Sequence, residues 1–148
     1  MIANERGFTL VELLIGAMII SIMGAFAAPQ FGSTLRAYRL NGARQVIWGD
    51  LHKTRLMAIK ENRTIRVDFT SSAYKIVRVD TDEVVFQRNL TTYFPGITTS
   101  IQNNTISFGS TGTAGGKRTV RVQGATGCKE FTILTTGRIG NFLPCQDA

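Results

Sequence analysis

The apolar run from Phe8 to Ala28 constrains this chain more than any other feature, since only Thr9, Glu12 and Ser21 break its succession of aliphatic, aromatic and small residues. About 20 helical residues, at about 1.5 Å rise each, match the thickness of a bilayer core, so the run predicts a helix able to cross a membrane. Glu12 is the anomaly in it. A lone carboxylate in such a segment costs about 2.5 to 3.5 kcal/mol on insertion scales and calls for a cation. The run supplies none, but cleavage after Gly7 would place a new amine on Phe8, one helical turn from Glu12 or from the Glu12 of an adjacent identical helix. An alternative reads Ala25-Phe26-Ala27 as a secretory cleavage site that frees a chain starting at Ala28. Against it stand Glu12 inside the run, a run longer than a signal peptide uses, and Glu5 cancelling Arg6 in the leader.

Of 148 residues, those after the run suffice for one modest domain with its own core. Arg6 lies just before the run, which predicts a cytoplasmic leader and an exported domain. Pro29 removes a backbone donor and predicts a kink, not an end, because helical periodicity resumes beyond it. Leu40, Ala43, Ile47, Leu51, Thr54 and Ala58 follow steps of three and four and form one stripe, with Val46 and Met57 at its margin. Arg36, Arg39, Arg44, Lys53, Arg55 and Lys60 occupy the other sides, as a solvated basic face. Past Asn62 the period drops to two. Strands are expected over 64–69, 74–79, 83–90, 105–108, 118–122 and 130–134, with turns at 70–72, 80–82 and Pro95-Gly96 and a glycine-rich hairpin loop over 109–116. One long helix followed by six short strands predicts an α+β fold with antiparallel sheets packed on the helix.

Little in the chain suggests catalysis. The stretch Gly109 to Arg118 has Thr111 where a phosphate-cradling loop needs glycine, Arg118 where it needs Ser or Thr, and β-formers where it needs a helix. His52 is the single histidine, which leaves no material for histidine triads or multi-histidine metal sites and reads as a surface residue. Asp80, Asp82 and Glu83 lack the spacing of a calcium loop and read as a polar turn. No enzyme activity, metal or cofactor is expected. Cys128 and Cys145 stand outside any CxxC pair, and in an exported domain such a pair predicts a disulfide. The net charge of +7 favours acidic partners. It is unevenly spread: Lys117, Arg118, Arg121, Lys129 and Arg138, less Glu130, give residues 117–138 a charge of +4, whereas residues 67–116 sum to −1.

The segment Gly7-Phe8-Thr9-Leu10-Val11-Glu12, with a short polar leader before it and Pro29 after it, closely resembles the N-terminus of type IV pilins and type II secretion pseudopilins. That resemblance implies cutting after Gly7 by a prepilin peptidase, N-methylation of Phe8, and a role for Glu12 in docking subunits into a filament. Ile106-Ser107-Phe108 with Gly112, then Gly127-Cys128 and Thr136-Gly137-Arg138, look like the C-terminal half of the GspH/FimT-type minor subunits. The resemblance implies a leader over 1–7, a transmembrane and filament-core helix over 8–30, and a periplasmic pilin domain over 31–148. It implies single-pass inner-membrane placement before transfer to the pilus tip at the cell surface. The partners it implies are other major and minor pilins or pseudopilins, the peptidase and an inner-membrane assembly platform. The expected function is that of a structural minor pilin at the tip, with a pseudopilin of type II secretion and a DNA-capturing minor pilin as alternatives. DNA-binding FimT-like members carry Gly-Arg-x-Arg after the last strand; Gly137-Arg138-Ile139-Gly140 keeps only its first arginine. Lys117, Arg118, Arg121, Lys129 and Arg138 are the residues a DNA-binding reading would use, against the plainer readings that they are solvated strand-edge charges or contact an acidic neighbouring tip subunit.

Overall fold

The computed structural model describes residues 8–145, and the side chains of residues 26–30 lie outside that description. The expectations for the leader through Gly7 and for a kink at Pro29 therefore fall outside the described residues. The chain divides into two units, one ending at Leu35 and the other beginning at Arg36, and helix α1 (Leu10–Glu61) contributes to both.

In the first unit Thr9 caps α1: its hydroxyl accepts the Glu12 backbone N–H at 3.2 Å. A Thr-x-x-Glu sequence is the signature of a capping box, and Glu12 sits where the positive end of the helix dipole favours a carboxylate. Among the described residues no helix is long and apolar enough to cross a membrane. This corrects the expectation of a membrane-spanning half over 8–30, and with it the single-pass inner-membrane placement and periplasmic domain. The described apolar stretch, residues 10–25, extends about 24 Å at 1.5 Å per residue, short of a core about 30 Å thick.

The second unit is organised by the rest of α1. Leu40, Ala43, Ile47, Leu51, Thr54 and Ala58 are all buried, as their spacing requires. The helix ends in a Schellman motif: Asn62 adopts φ 51°, its N–H reaches the Ile59 carbonyl, and Arg63 N–H reaches that of Ala58. Eight strands then build two antiparallel four-stranded sheets. The first, ordered β3-β2-β1-β5, joins β1 (Ile65–Phe69), β2 (Ala73–Arg78), β3 (Val84–Asn89) and β5 (Thr105–Phe108). The second, ordered β4-β6-β7-β8, joins β4 (Thr98–Ile101), β6 (Arg118–Gly124), β7 (Gly127–Ile133) and β8 (Leu143–Pro144). Ile65, Val67, Phe69, Tyr74, Ile76, Ile106 and Phe108 of the first sheet share one core with Val120, Val122, Phe131 and Ile133 of the second. Each such side chain is worth about 1.5 to 3 kcal/mol in transfer free energy.

Two strands exceed the six expected. β4 is too short and polar to show an alternation, and the two-residue β8 contains a proline and depends on its partner strand for definition. The strand expected to reach Leu90 stops at Asn89, whose side chain accepts the Thr91 N–H and starts the short helix α2 (Leu90–Tyr93). The segment 109–116 is not a hairpin loop, because β5 and β6 belong to different sheets and the segment crosses between them.

Arg44 and Arg55 do not belong to a solvated face. Arg44 lies over the Phe142 ring at 4.4 Å, and Arg55 Nε donates to the Gly112 carbonyl at 2.9 Å. That bond ties the helix to two glycine turns. Gly112 (φ 77°) and Gly137 (φ 76°) each close a turn by donating an N–H three residues back, and a Cβ on Gly137 would overlap the Gly112 carbonyl oxygen. His52 is likewise not a plain surface residue: it is half-buried against Trp48, ring centroids 4.1 Å apart, and its Nε2 is buried without a hydrogen-bond partner.

Two outcomes follow from this packing. Gly137→Ala combines a left-handed backbone with a steric overlap and should cost at least about 2 kcal/mol in chemical denaturation. Gly49→Ala, mid-helix with open space around the new methyl, should instead stabilise by about 0.5 to 1 kcal/mol. Burial, and then Arg55, hold the His52 pKa below its ordinary 6.5. The unfolded chain therefore takes up the proton first, so the His52 contribution is complete above about pH 6.5 and is lost as pH falls below it. His52→Gln should flatten the stability profile between pH 7 and pH 5 in parallel melts.

Candidate functional site

The described residues offer interaction surfaces in place of a reaction centre. No group of three or more His, Cys, Asp or Glu among them could hold a metal ion. A concavity of about 430 Å³ on the outer face of the second sheet is lined by Ser100, Gln102, Thr119 and the Arg121–Glu130 pair, and it contains no nucleophile beside a base.

The most distinctive surface is the start of α1. Phe8 is 77 % exposed, and Leu10, Val11, Leu13, Leu14, Ile15, Met18, Ile19, Ile20, Ile22 and Met23 are all exposed as well. A helix apolar on every side belongs in an apolar surrounding, not in water. Glu12 stands within this surface. It is the one described carboxylate for which no ion pair is seen, whereas Asp50, Glu61, Asp68, Asp80, Asp82, Glu83 and Glu130 each meet a cation.

Asp50 is a functional-type residue that sequence reasoning missed. It is buried on the helix stripe, accepts from the Tyr74 hydroxyl and accepts from Arg88 Nε at 2.9 Å. Burial, then the hydrogen bond to Asp50 and its charge, push the Tyr74 pKa far up, so the phenol stays protonated and donates. The triad is a clamp from α1 to β2 and β3: each buried charge is paired, and removing one partner would strand another. A spacing of three before Lys53 and of seven after Ala43 was the available signal, but it reads equally as a surface acid.

The five basic residues singled out in the sequence do not form one patch. In β6 and β7 the pairs Arg118↔Ile133, Val120↔Phe131 and Val122↔Lys129 share the core-side parity, whereas Arg121↔Glu130 faces the other way. Arg121 is neutralised there by Glu130 at 2.9 Å. Lys129 lies four rungs from Arg118, about 13 Å along the strand. Arg118 folds back onto the Lys117 carbonyl at 3.0 Å. Lys117, Arg118 and Arg138 remain together at one end of the sheet, where the Arg138 carbonyl accepts the Leu134 N–H. The acidic turn Asp80, Asp82 and Glu83 is an ion-pair cluster with Arg63, Arg66 and Arg78, with contacts of 2.7 to 3.4 Å. Cys128 and Cys145 are joined in a disulfide, Cα atoms 5.4 Å apart, which fastens the C-terminal segment to β7. Phe8 and Glu12 lie on the exposed helical start, and Gly7 is outside the described residues.

Known proteins share both parts of this design. Residues 2–28 match the profile described as the prokaryotic N-terminal methylation motif, and residues 43–137 match that of the type II transport protein GspH. No curated protein matches the chain. Two crystal structures of the type IV minor pilin FimU from Pseudomonas aeruginosa share the fold. One has a TM-score of 0.60 at 17 % identity over 71 % of this chain and 88 % of that one. The other has a TM-score of 0.57 at 17 % identity over 70 % and 92 %. The GspH match spans more than half of the chain, so this is a type IV pilin-like protein of the GspH family of minor pilins and pseudopilins.

Proposed function

We propose that the chain is a structural minor subunit of a type IV pilus, located at or near its tip. The observation that carries this reading is the helical segment 10–25, whose large apolar side chains are exposed on every side. Such a surface is stable only when covered, and about 25 cal/mol per Å² rewards covering it with apolar helices of other subunits. The filament core is the surrounding that this segment fits.

The same reading assigns the residues at its head. A prepilin peptidase cuts after Gly7, the new N-terminus at Phe8 is methylated, and Glu12 meets that amine on a neighbouring helix. Support comes from the charges: every carboxylate described in the folded domain meets a cation, whereas no ion pair of Glu12 is seen among the described residues. An acid held in an apolar bundle without a partner is costly, so helices that supply the amine are selected over those that do not. The domain's own chemistry is that of a spacer and docking body, and it shares its fold with the minor pilin FimU.

Expression in a piliated host, with the protein measured in sheared filaments, tests this. Glu12→Leu should leave total protein unchanged and lower the filament-bound fraction at least tenfold. Mass spectrometry of the filament fraction should find a methylated Phe8 at the N-terminus. Normal incorporation of Glu12→Leu, or a mature chain starting at Ala28, contradicts the reading.

A further inference from the structure

The ion-pair inventory of the second unit leaves its positive surplus in particular places. All seven of its described carboxylates are engaged by Lys53, Arg63, Arg66, Lys75, Arg78, Arg88 and Arg121. Arg44 and Arg55 are spent on the Phe142 ring and the Gly112 carbonyl. Arg36 and Arg39 have no carboxylate within reach among the described residues; Arg36 is exposed and Arg39 half-buried. They form one wall of a cleft of about 320 Å³ whose other side is Pro95, Gly96, Ile97 and Ala125.

We propose that this cleft seats a carboxylate side chain from an acidic segment of a partner protein. Arg36 and Arg39 are three apart on one helix, so they share a face, and two planar guanidinium forks converge on one planar acid. The opposite wall is apolar and small: Pro95 and Ala125 suit the stem of a glutamate or aspartate, and Gly96, at φ 82° with open space where a Cβ would be, leaves the mouth unobstructed. Among the described residues of the domain every carboxylate is already engaged, so none of them is free to occupy the cleft.

A nucleic-acid strand fits less well. Its phosphates need a row of cations; Lys129, opposite Val122, stands singly on β7, and the group Lys117, Arg118 and Arg138 lies at the far end of β6, about 20 Å away at 3.3 Å per residue. The rim of Pro95 and Ala125 offers a phosphate no hydrogen-bond donor from a side chain. This inference goes beyond the filament reading and does not depend on Glu12 or on the apolar helix.

Fluorescence anisotropy of a labelled, capped tetraglutamate peptide, titrated with the full chain in non-ionic detergent, tests the site. Arg36→Gln/Arg39→Gln should weaken binding at least tenfold, and Lys117→Gln/Arg118→Gln should change it less than twofold. Ala125→Trp, which keeps both arginines and fills the cleft from an exposed turn, should weaken it at least fivefold. A labelled tetrathymidylate should bind at least tenfold more weakly than the peptide. Unchanged binding by either cleft variant, or oligonucleotide binding as tight as peptide binding through the same arginines, overturns the proposal.

Discussion

Everything in the folded domain depends on the contact between one stripe of α1 and the two sheets. Leu40, Ala43, Ile47, Leu51 and Ala58 reach both sheets' inward residues, so one helix closes a core that neither sheet could bury alone. Small residues in that stripe matter as much as large ones, since Ala43 and Ala58 are completely buried and let the backbone approach the strands. Thr54 is tolerated there because its hydroxyl donates back to the Asp50 carbonyl at 2.7 Å.

Polar ties fix what the apolar contact leaves free. Near the middle of the helix the Asp50–Tyr74–Arg88 clamp sets its position against β2 and β3. Toward its end, Arg55 holds the Gly112 turn, and the Gly137 turn packs directly on that carbonyl. The disulfide then fastens the chain after β7. These ties anchor the domain at several points to the part of α1 that it contains.

The periodicity of the sequence carried the helix stripe, β1 and β2, because these segments have a buried and an exposed side over enough residues to show a period; β3 alternates in sequence, but none of its residues is buried and Val84 and Phe86 are exposed. β4 and β8 were not legible: each is brief, and each is a strand only because a neighbour pairs with it. The division into two sheets was also hidden, since the glycine-rich segment 109–116 reads locally like a hairpin while its partners are set by tertiary contacts. At the helix start the Thr9-x-x-Glu12 cap was visible as a pattern but was overshadowed by the oddity of an acid in an apolar run. Asp50 was illegible for a deeper reason, because its partners lie 24 and 38 residues away. The basic residues of 117–138 are a surplus in net charge, but strand alternation sends Arg121 to the opposite face, a consequence of register that net charge does not contain.

Function in this account rests with the uncovered helix, which carries an apolar surface and Glu12, the one described carboxylate for which no ion pair is seen, whereas every described carboxylate of the domain meets a cation. The most direct measurement is photo-cross-linking in assembled filaments, with a benzophenone side chain placed at Ile15 and the adducts mapped by mass spectrometry. The account predicts that Ile15 is joined to the N-terminal apolar helices of other pilin subunits. Adducts only to this chain's own residues 36–145, or only to proteins outside the filament, would contradict it.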